Sequence, residues 1–355
     1  MPGSVRLDEA DLTLIEVLQR NPRAPWTAVA AVAGTNAVTA SRRWERLRSA
    51  GSAWVIGTPG PVTRDAQCLA YVDVTCSPGS TTRVARELAG DAHALSVDIT
   101  AGGSDLLLTV AAVDLRTLGR YLLERLDRVQ GVTGTRARIA TRLYAEGSLW
   151  RLGVLPASST LRTRSLVPSR PVGLDEVDRE LMGCLGEDGR ASYAALAEAT
   201  GTSQPTVRRR VERLISSGSV LLRTEVAAPM AGWPVSVVLS ADAPAGQMDD
   251  VATRLARLRQ VRLVATLAST PSLIVVAWLP SVDEVHRFEQ ALVQRAPEVR
   301  VTDRLVVLRA VKRMGQLLDE DGRARRAVRM DVWQDPVPRP ADGREASGLR
   351  RRSRW

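Results

Sequence analysis

The 355-residue sequence contains three cysteines, two histidines and a single lysine, Lys312. Cys68, Cys76 and Cys184 are too few and too scattered for a disulfide framework or a zinc site. There is no Ser-His-Asp set, no Gly-rich phosphate loop and no metal-ligand spacing, so no cofactor is expected. No run of eighteen apolar residues occurs, which argues against a membrane span. The opening MPGSVRLDEADL lacks a basic stretch followed by an apolar core, so no secretion signal is expected. These absences point to a soluble cytoplasmic protein with no membrane partner.

Apolar residues make up 45% of the chain, enough for two to four domain cores. The formal net charge is +10, but its location matters more than its sum. Residues 323–355 hold ten arginines against four acids, and residues 151–172 hold four arginines and no acid. The rest of the chain is close to neutral. The basicity lies in a connecting segment and a tail, so net charge by itself leans only weakly toward nucleic acid.

A duplication organises the remainder. LDEADLTLIEVLQRNPRAPWTAVAAVAGTNAVTASRRWERLRSAGS aligns with LDEVDRELMGCLGEDGRASYAALAEATGTSQPTVRRRVERLISSGS at a shift of 167 residues, without a gap. About 21 of 46 positions are identical. The register carries on: Leu107 falls on Ile274, Tyr121 on Phe288 and Arg142 on Arg309. Each copy reads as three short helices. The first begins at Asp8 or Asp11 as a cap and ends at Pro22 and Pro25. The second covers Trp26–Val32 and stops at Gly34, and the third runs from Asn36 to Gly51. The second copy starts near Asp175, Tyr193 and Ser203, with stops at Gly201 and Gly218. Two helices joined by a short Gly-containing turn make a helix-turn-helix. The periodicity then changes to two. CLAYVDVTC puts Cys68, Ala70, Val72, Val74 and Cys76 on one side, and the order of elements becomes β-α-β-β-α-β, a ferredoxin-like arrangement. Such a sheet leaves one face open, and burying it against a second sheet is the usual remedy.

At 100° per residue, Val207, Val211 and Leu214 form an inward stripe, while Thr206, Arg209 and Arg213 point outward with Arg208 at one flank. Arg210 lies along the domain surface. The first copy puts Ala40, Trp44 and Leu47 inside and Thr39, Arg42 and Arg46 outside. Arginine forks suit guanine edges and phosphates, and such a helix can enter the major groove of double-stranded DNA. Ser203 and Asn36 are read as helix caps that could also touch phosphate. Gln204 could read adenine, whereas its counterpart Ala37 could not.

These residues resemble the Lrp/AsnC family of transcriptional regulators, across about residues 7–145 and 174–313. The resemblance implies an α+β chain of two winged-helix-like helix-turn-helix domains and two ferredoxin-like sensor domains in tandem. The expected divisions are 1–56 and 62–146, a linker at 147–172, then 173–223 and 232–315, with a disordered basic tail at 316–355 in which Trp333 and Trp355 have no core partner. The family usually carries one unit per chain and dimerises through its sensor sheets. Two units imply a fused pseudo-dimer, and the 26-residue linker could reach up to about 80 Å. An amino acid or other small effector is implied. The family's Gly- and Asp-containing turn corresponds to TAGGSD, with Thr100, Gly102, Gly103 and Asp105; the second half carries Ser269, Thr270 and Ser272 instead, so an asymmetric site is expected. A plain hairpin turn is the competing interpretation of GGSD.

Two other classes compete. Pro25, Ala37 and Ser41 replace Ser192, Gln204 and Arg208, which would suit an interaction module with degenerate DNA-binding units. Sirohaem decarboxylases look similar in fold and two-part organisation, but their chemistry leans on histidines. His93 and His286 do not align under the 167 shift, and they are read as a sheet-end and a solvated helix residue.

Overall fold

The computed structural model describes residues 7–155 and 173–337. The first half comprises α1 (Glu9–Arg20), α2 (Trp26–Ala33), α3 (Ala37–Ser49), β1 (Ala53–Pro59), the single turn α4 (Pro61–Arg64), β2 (Cys68–Cys76), α5 (Thr81–Leu88), β3 (Ala94–Ala101), β4 (Leu106–Ala112), α6 (Leu115–Arg120) and β5 (Val132–Ala145). The second comprises α7 (Glu176–Glu187), α8 (Tyr193–Thr200), α9 (Gln204–Ser216), β6 (Val220–Val226), β7 (Val235–Asp242), α10 (Met248–Leu255), β8 (Val261–Leu267), β9 (Leu273–Leu279), α11 (Glu284–Arg295) and β10 (Arg300–Arg313). Two further strands follow, β11 (Gln316–Leu318) and β12 (Ala324–Ala327).

Local chemistry sets the helical trios. Asp8 and Asp175 each close a capping box, accepting from the backbone N–H three residues on at 2.7 and 2.8 Å, worth about 1 kcal/mol per helix. Gly34 and Gly201 end α2 and α8 with φ of +64° and +62°. A side chain there would meet open space, so the left-handed backbone alone calls for glycine. The apolar stripes on α3 (Ala40, Trp44, Leu47) and α9 (Val207, Val211, Leu214) are buried as their spacing predicts.

Each half then builds a four-stranded sheet, in the orders β3-β4-β2-β5 and β8-β9-β7-β10. The outer faces are covered by helices. Val84, Leu88 and Leu118 pack on Ala70, Val72 and Val74, and Val251, Leu255, Phe288 and Leu292 do the same in the second half. The open faces are not simply stacked. The sheets join edge to edge, β5 onto β8 and β10 onto β3. Both joining strands are fourteen residues long. In each, the first part pairs within its own sheet and the last part with the other half: Ala70↔Ile139 gives way to Ala140↔Leu267, and Val307↔Ser236 overlaps Val307↔Thr100. Eight strands thus close into a ring, which removes four sheet edges from solvent. The inward faces meet in one shared core that includes Tyr71, Leu107, Val238, Ile274 and Leu305.

A second junction lies between the helical trios and this barrel. β1 and β6 form an antiparallel ribbon in which Ile56 stands opposite Arg223. Those residues are equivalent under the 167 shift, so an approximate two-fold axis passes between them. Reciprocal hooks repeat the symmetry. Arg23 donates to the carbonyls of Gly189 and Ala191 and lies over Tyr193, while its counterpart Arg190 donates to Pro22 and Ala24 and lies over Trp26.

Three expectations need correction. The segment from 147 is not wholly a tether: Trp150 and Leu152 are buried in the core under α1, and Trp150 meets Trp233 and Trp278 edge-on. Residues 156–172 lie outside the described residues. The tail does not begin as a disordered segment at 316, because β11 and β12 extend β10. Val332 is buried, and Trp333 packs beside the α7–α9 core with Arg179 over its ring. The rest of the tail, including Trp355, lies outside the described residues. Among the described residues no helix is long and apolar enough to cross a membrane.

Candidate DNA interface

The outward faces of α3 and α9 carry the candidate residues. Asn36 is a working cap, accepting from the Thr39 N–H at 2.8 Å. Ser203 is not: its hydroxyl donates to Thr206 Oγ1 at 3.0 Å, and Pro205 occupies the first turn of α9. Ser203, Gln204, Arg208, Arg209, Asn36, Thr39, Arg42 and Arg46 are exposed, and Thr206 and Arg213 are half-buried.

The arginines divide into two kinds. Arg42 and Arg209 stand on the exposed faces and form no ion pair among the described residues. Arg46 and Arg213, one turn further along, reach back to the first helix of their own domain. Arg46 pairs with Asp11 at 2.6 Å and Arg213 with the buried Asp178 at 2.5 Å, keeping side-chain exposures of 59% and 41%. Arg43 and Arg210 complete each cluster by bridging Asp8 with Asp11 and Asp175 with Asp178. These guanidinium groups hold the Asp8 and Asp175 carboxyls below the usual aspartate range. The capping-box acids therefore do a second job: they orient and neutralise the inner arginines, leaving Arg42 and Arg209 as the free cations at the centre of each face. Arg208 is tied to Glu212 at 3.0 Å, with no equivalent at Ser41. The spacing of Asp8/Asp11 and Asp175/Asp178 identified the caps but not this second contact, which depends on how the first and third helices cross.

The candidate effector turn is differently placed. Thr100 is buried and donates to the Ser104 carbonyl at 2.7 Å. Asp105 accepts the Cys76 N–H at 2.7 Å. Gly102 has φ +137°, and a side chain there would lie 2.7 Å from Leu305 and 2.8 Å from the Arg304 carbonyl of the other half. The polar groups of Thr100 and Asp105 are thus engaged by the fold, and Gly102 permits the close approach of β10; a side chain at Gly103 would lie 3.4 Å from the Asp303 carboxylate. His93 is buried with both ring nitrogens 2.9 Å from carbonyl oxygens, of Ala111 and Gln334. His286 is exposed on α11.

Comparison with known proteins matches both parts twice. The model for the AsnC-type helix-turn-helix domain fits residues 7–48 and 174–215. The model for the Lrp/AsnC ligand binding domain fits residues 69–150 and 236–317. The chain belongs to the Lrp/AsnC family. It is similar to an uncharacterized HTH-type transcriptional regulator of Pyrococcus abyssi, at 29% identity over 148 residues covering 41% of this chain and 93% of that protein. It is likewise similar to the HTH-type transcriptional regulator AldR of Mycobacterium tuberculosis, at 29% identity over 133 residues covering 36% of this chain and 74% of AldR. Each such relative corresponds to one half, so this member carries two family units. Across both halves its fold is similar to that of the siroheme decarboxylase NirDL, with a TM-score of 0.56, 12% identity, and 89% of this chain and 96% of that chain covered. At that identity the likeness concerns fold alone. The chain is an Lrp/AsnC-type transcriptional regulator.

Proposed function

We propose that the two halves act as a fused pseudo-dimer that binds one DNA duplex through α3 and α9 and responds to an amino acid or other small effector. The single observation that carries this reading is the approximate two-fold relation at Ile56 and Arg223, which repeats each exposed arginine-bearing helix on a frame joined at two sheet edges. In an ordinary symmetric dimer each half-site is read by the same residues. Here α9 offers Gln204, Thr206, Arg208 and Arg209, whereas α3 offers Asn36, Thr39 and Arg42. The operator would have two unequal half-sites. Arg42 and Arg209 would meet base edges, while Arg46, Arg213, Asn36 and Ser203 would contact phosphates.

Selection of bound sequences from a random DNA pool, with and without amino acids, tests this. The expected result is a bipartite site with one stronger half. Recovery of no preferred sequence, at low salt as well as at physiological salt, would remove the reading.

A further inference from the structure

One mouth of the barrel, beneath the β1–β6 ribbon, holds a partly open cavity of about 150 Å³. An eight-stranded ring leaves room for packed side chains or for one small ligand, and a space of this size suits one substituted ring. Much of the wall is apolar: Leu69, Leu107, Val238, Val276 and Trp278 face it. Its polar groups are mostly donors. Tyr71 is 1% exposed and lines the cavity, yet its hydroxyl has no hydrogen-bond partner; the amide nitrogen of Gln67, also in the wall, has none either. Four arginines border the space: Arg64, Arg223, Arg262 and Arg313. Glu225 takes Arg223 and Arg262, and Glu146 takes Arg223 as well. With Asp98, three carboxylates stand against four guanidinium groups, so one positive charge is in surplus. Arg313 lies over the Trp278 ring at 4.9 Å, at the boundary between apolar wall and charge.

The lining is asymmetric although the walls are equivalent. Tyr71 corresponds to Val238, Leu95 to Arg262, Ala111 to Trp278 and Glu146 to Arg313. The first half supplies the unpartnered hydroxyl and Arg64, and the second the other three arginines and the indole. The second half could not supply its share of this lining twice around a true two-fold axis without setting arginine against arginine.

We propose that this cavity binds a small organic anion, a carboxylate on an aromatic or branched apolar body, with Tyr71, Gln67 and Arg313 as its donors and the leucine–valine–Trp278 wall around its body. This names a site for the effector and so rests on that part of the functional reading. The readout needs no DNA, so a failure of binding here is separable from a failure of DNA recognition.

The test is calorimetry on the full chain, with Trp fluorescence in parallel. The probes are L-phenylalanine, L-leucine, phenylpyruvate, benzoate and the neutral benzyl alcohol. Phenylalanine against phenylpyruvate distinguishes an amino acid from its oxo acid. We expect one site per chain for at least one carboxylate and none for the alcohol. Tyr71→Phe, which removes only the hydroxyl, should weaken binding about tenfold, and Arg313→Gln by more than that. Silence from every carboxylate, equal binding of the alcohol, or undiminished binding by both variants overturns the proposal.

Discussion

The two halves share a backbone plan and differ in where they carry charge. At the ribbon end, the second half contributes Arg223, Glu225 and Arg262, buried in one network, where the first has Ile56, Thr58 and Leu95. Further down the inward faces the roles reverse. Arg138 reaches Asp73 at 2.9 Å and also Ser240, the counterpart of Asp73, at 2.9 Å, while the counterpart of Arg138 is Leu305. A buried charge at a symmetric interface meets its own copy. A duplicated chain can place the cation on one side only and satisfy it from the other. The difference teaches that duplication within one chain did more than join two units: it allowed the shared core to become polar without setting each charged group against its own copy.

Removing Glu225 should break this comparison most sharply. Glu225→Ala would leave Arg223 and Arg262 buried, with Glu146 beside Arg223 as their one remaining ion-pair partner among the described residues, at a cost of about 3–5 kcal/mol. The counterpart Thr58→Ala removes one hydrogen bond, to the Leu221 carbonyl at 3.3 Å, and should cost about 1 kcal/mol. Urea unfolding of both variants measures the gap, and equal losses would mean that the asymmetry has no energetic content.

On the DNA side, Arg209→Ala should weaken specific binding by about 1–3 kcal/mol. Arg42→Ala should weaken it less, because its helix lacks a counterpart to Gln204. Gel-shift titrations at fixed salt compare them. Loss from Arg209→Ala alone would make the first helix-turn-helix an accessory unit.

Asp98 and its counterpart Ala265 give a pH comparison. Burial pushes the Asp98 carboxyl up from 3.8 to about 6, with Arg313 opposing. Between those values the folded state binds more protons than the unfolded, so stability falls as pH rises from about 4 to 6 and stays lower above it. Asp98→Asn should flatten that slope and gain roughly 2 kcal/mol at pH 7 relative to pH 4. Thermal melts across the range read it, and an unchanged slope would place the titration elsewhere.

The smallest contrast is at the caps. Asn36→Ala should cost about 1 kcal/mol and Ser203→Ala close to nothing, because only Asn36 accepts a backbone N–H. Equal melting shifts would contradict the geometry.

Much of this architecture was legible beforehand because it is local. Capping aspartates, Gly34 and Gly201, the stripes on α3 and α9, and the period-two run from Cys68 to Cys76 each declare themselves within a dozen residues. The pairing of Arg46 with Asp11 and of Arg213 with Asp178 was not legible, since a helical wheel says which way a side chain leaves and not what crosses its path. The ribbon was missed as well, because AWVIGTP and VLLRTEV are short and their partners lie in opposite halves. The tail's arginine and proline content masked β11 and β12, whose order comes from extending β10.

The sequence by itself determined the duplication, the kinds of element and which face of each is apolar, since these follow from backbone dihedrals and side-chain periodicity. Only the tertiary structure decided that the two sheets close into one ring, that the GGSD turn packs against the other half, and that the unpartnered Tyr71 hydroxyl and Arg313 line one cavity. Those outcomes depend on strands such as β5 and β8 pairing across more than a hundred residues of chain, and no local pattern encodes the register in which they meet.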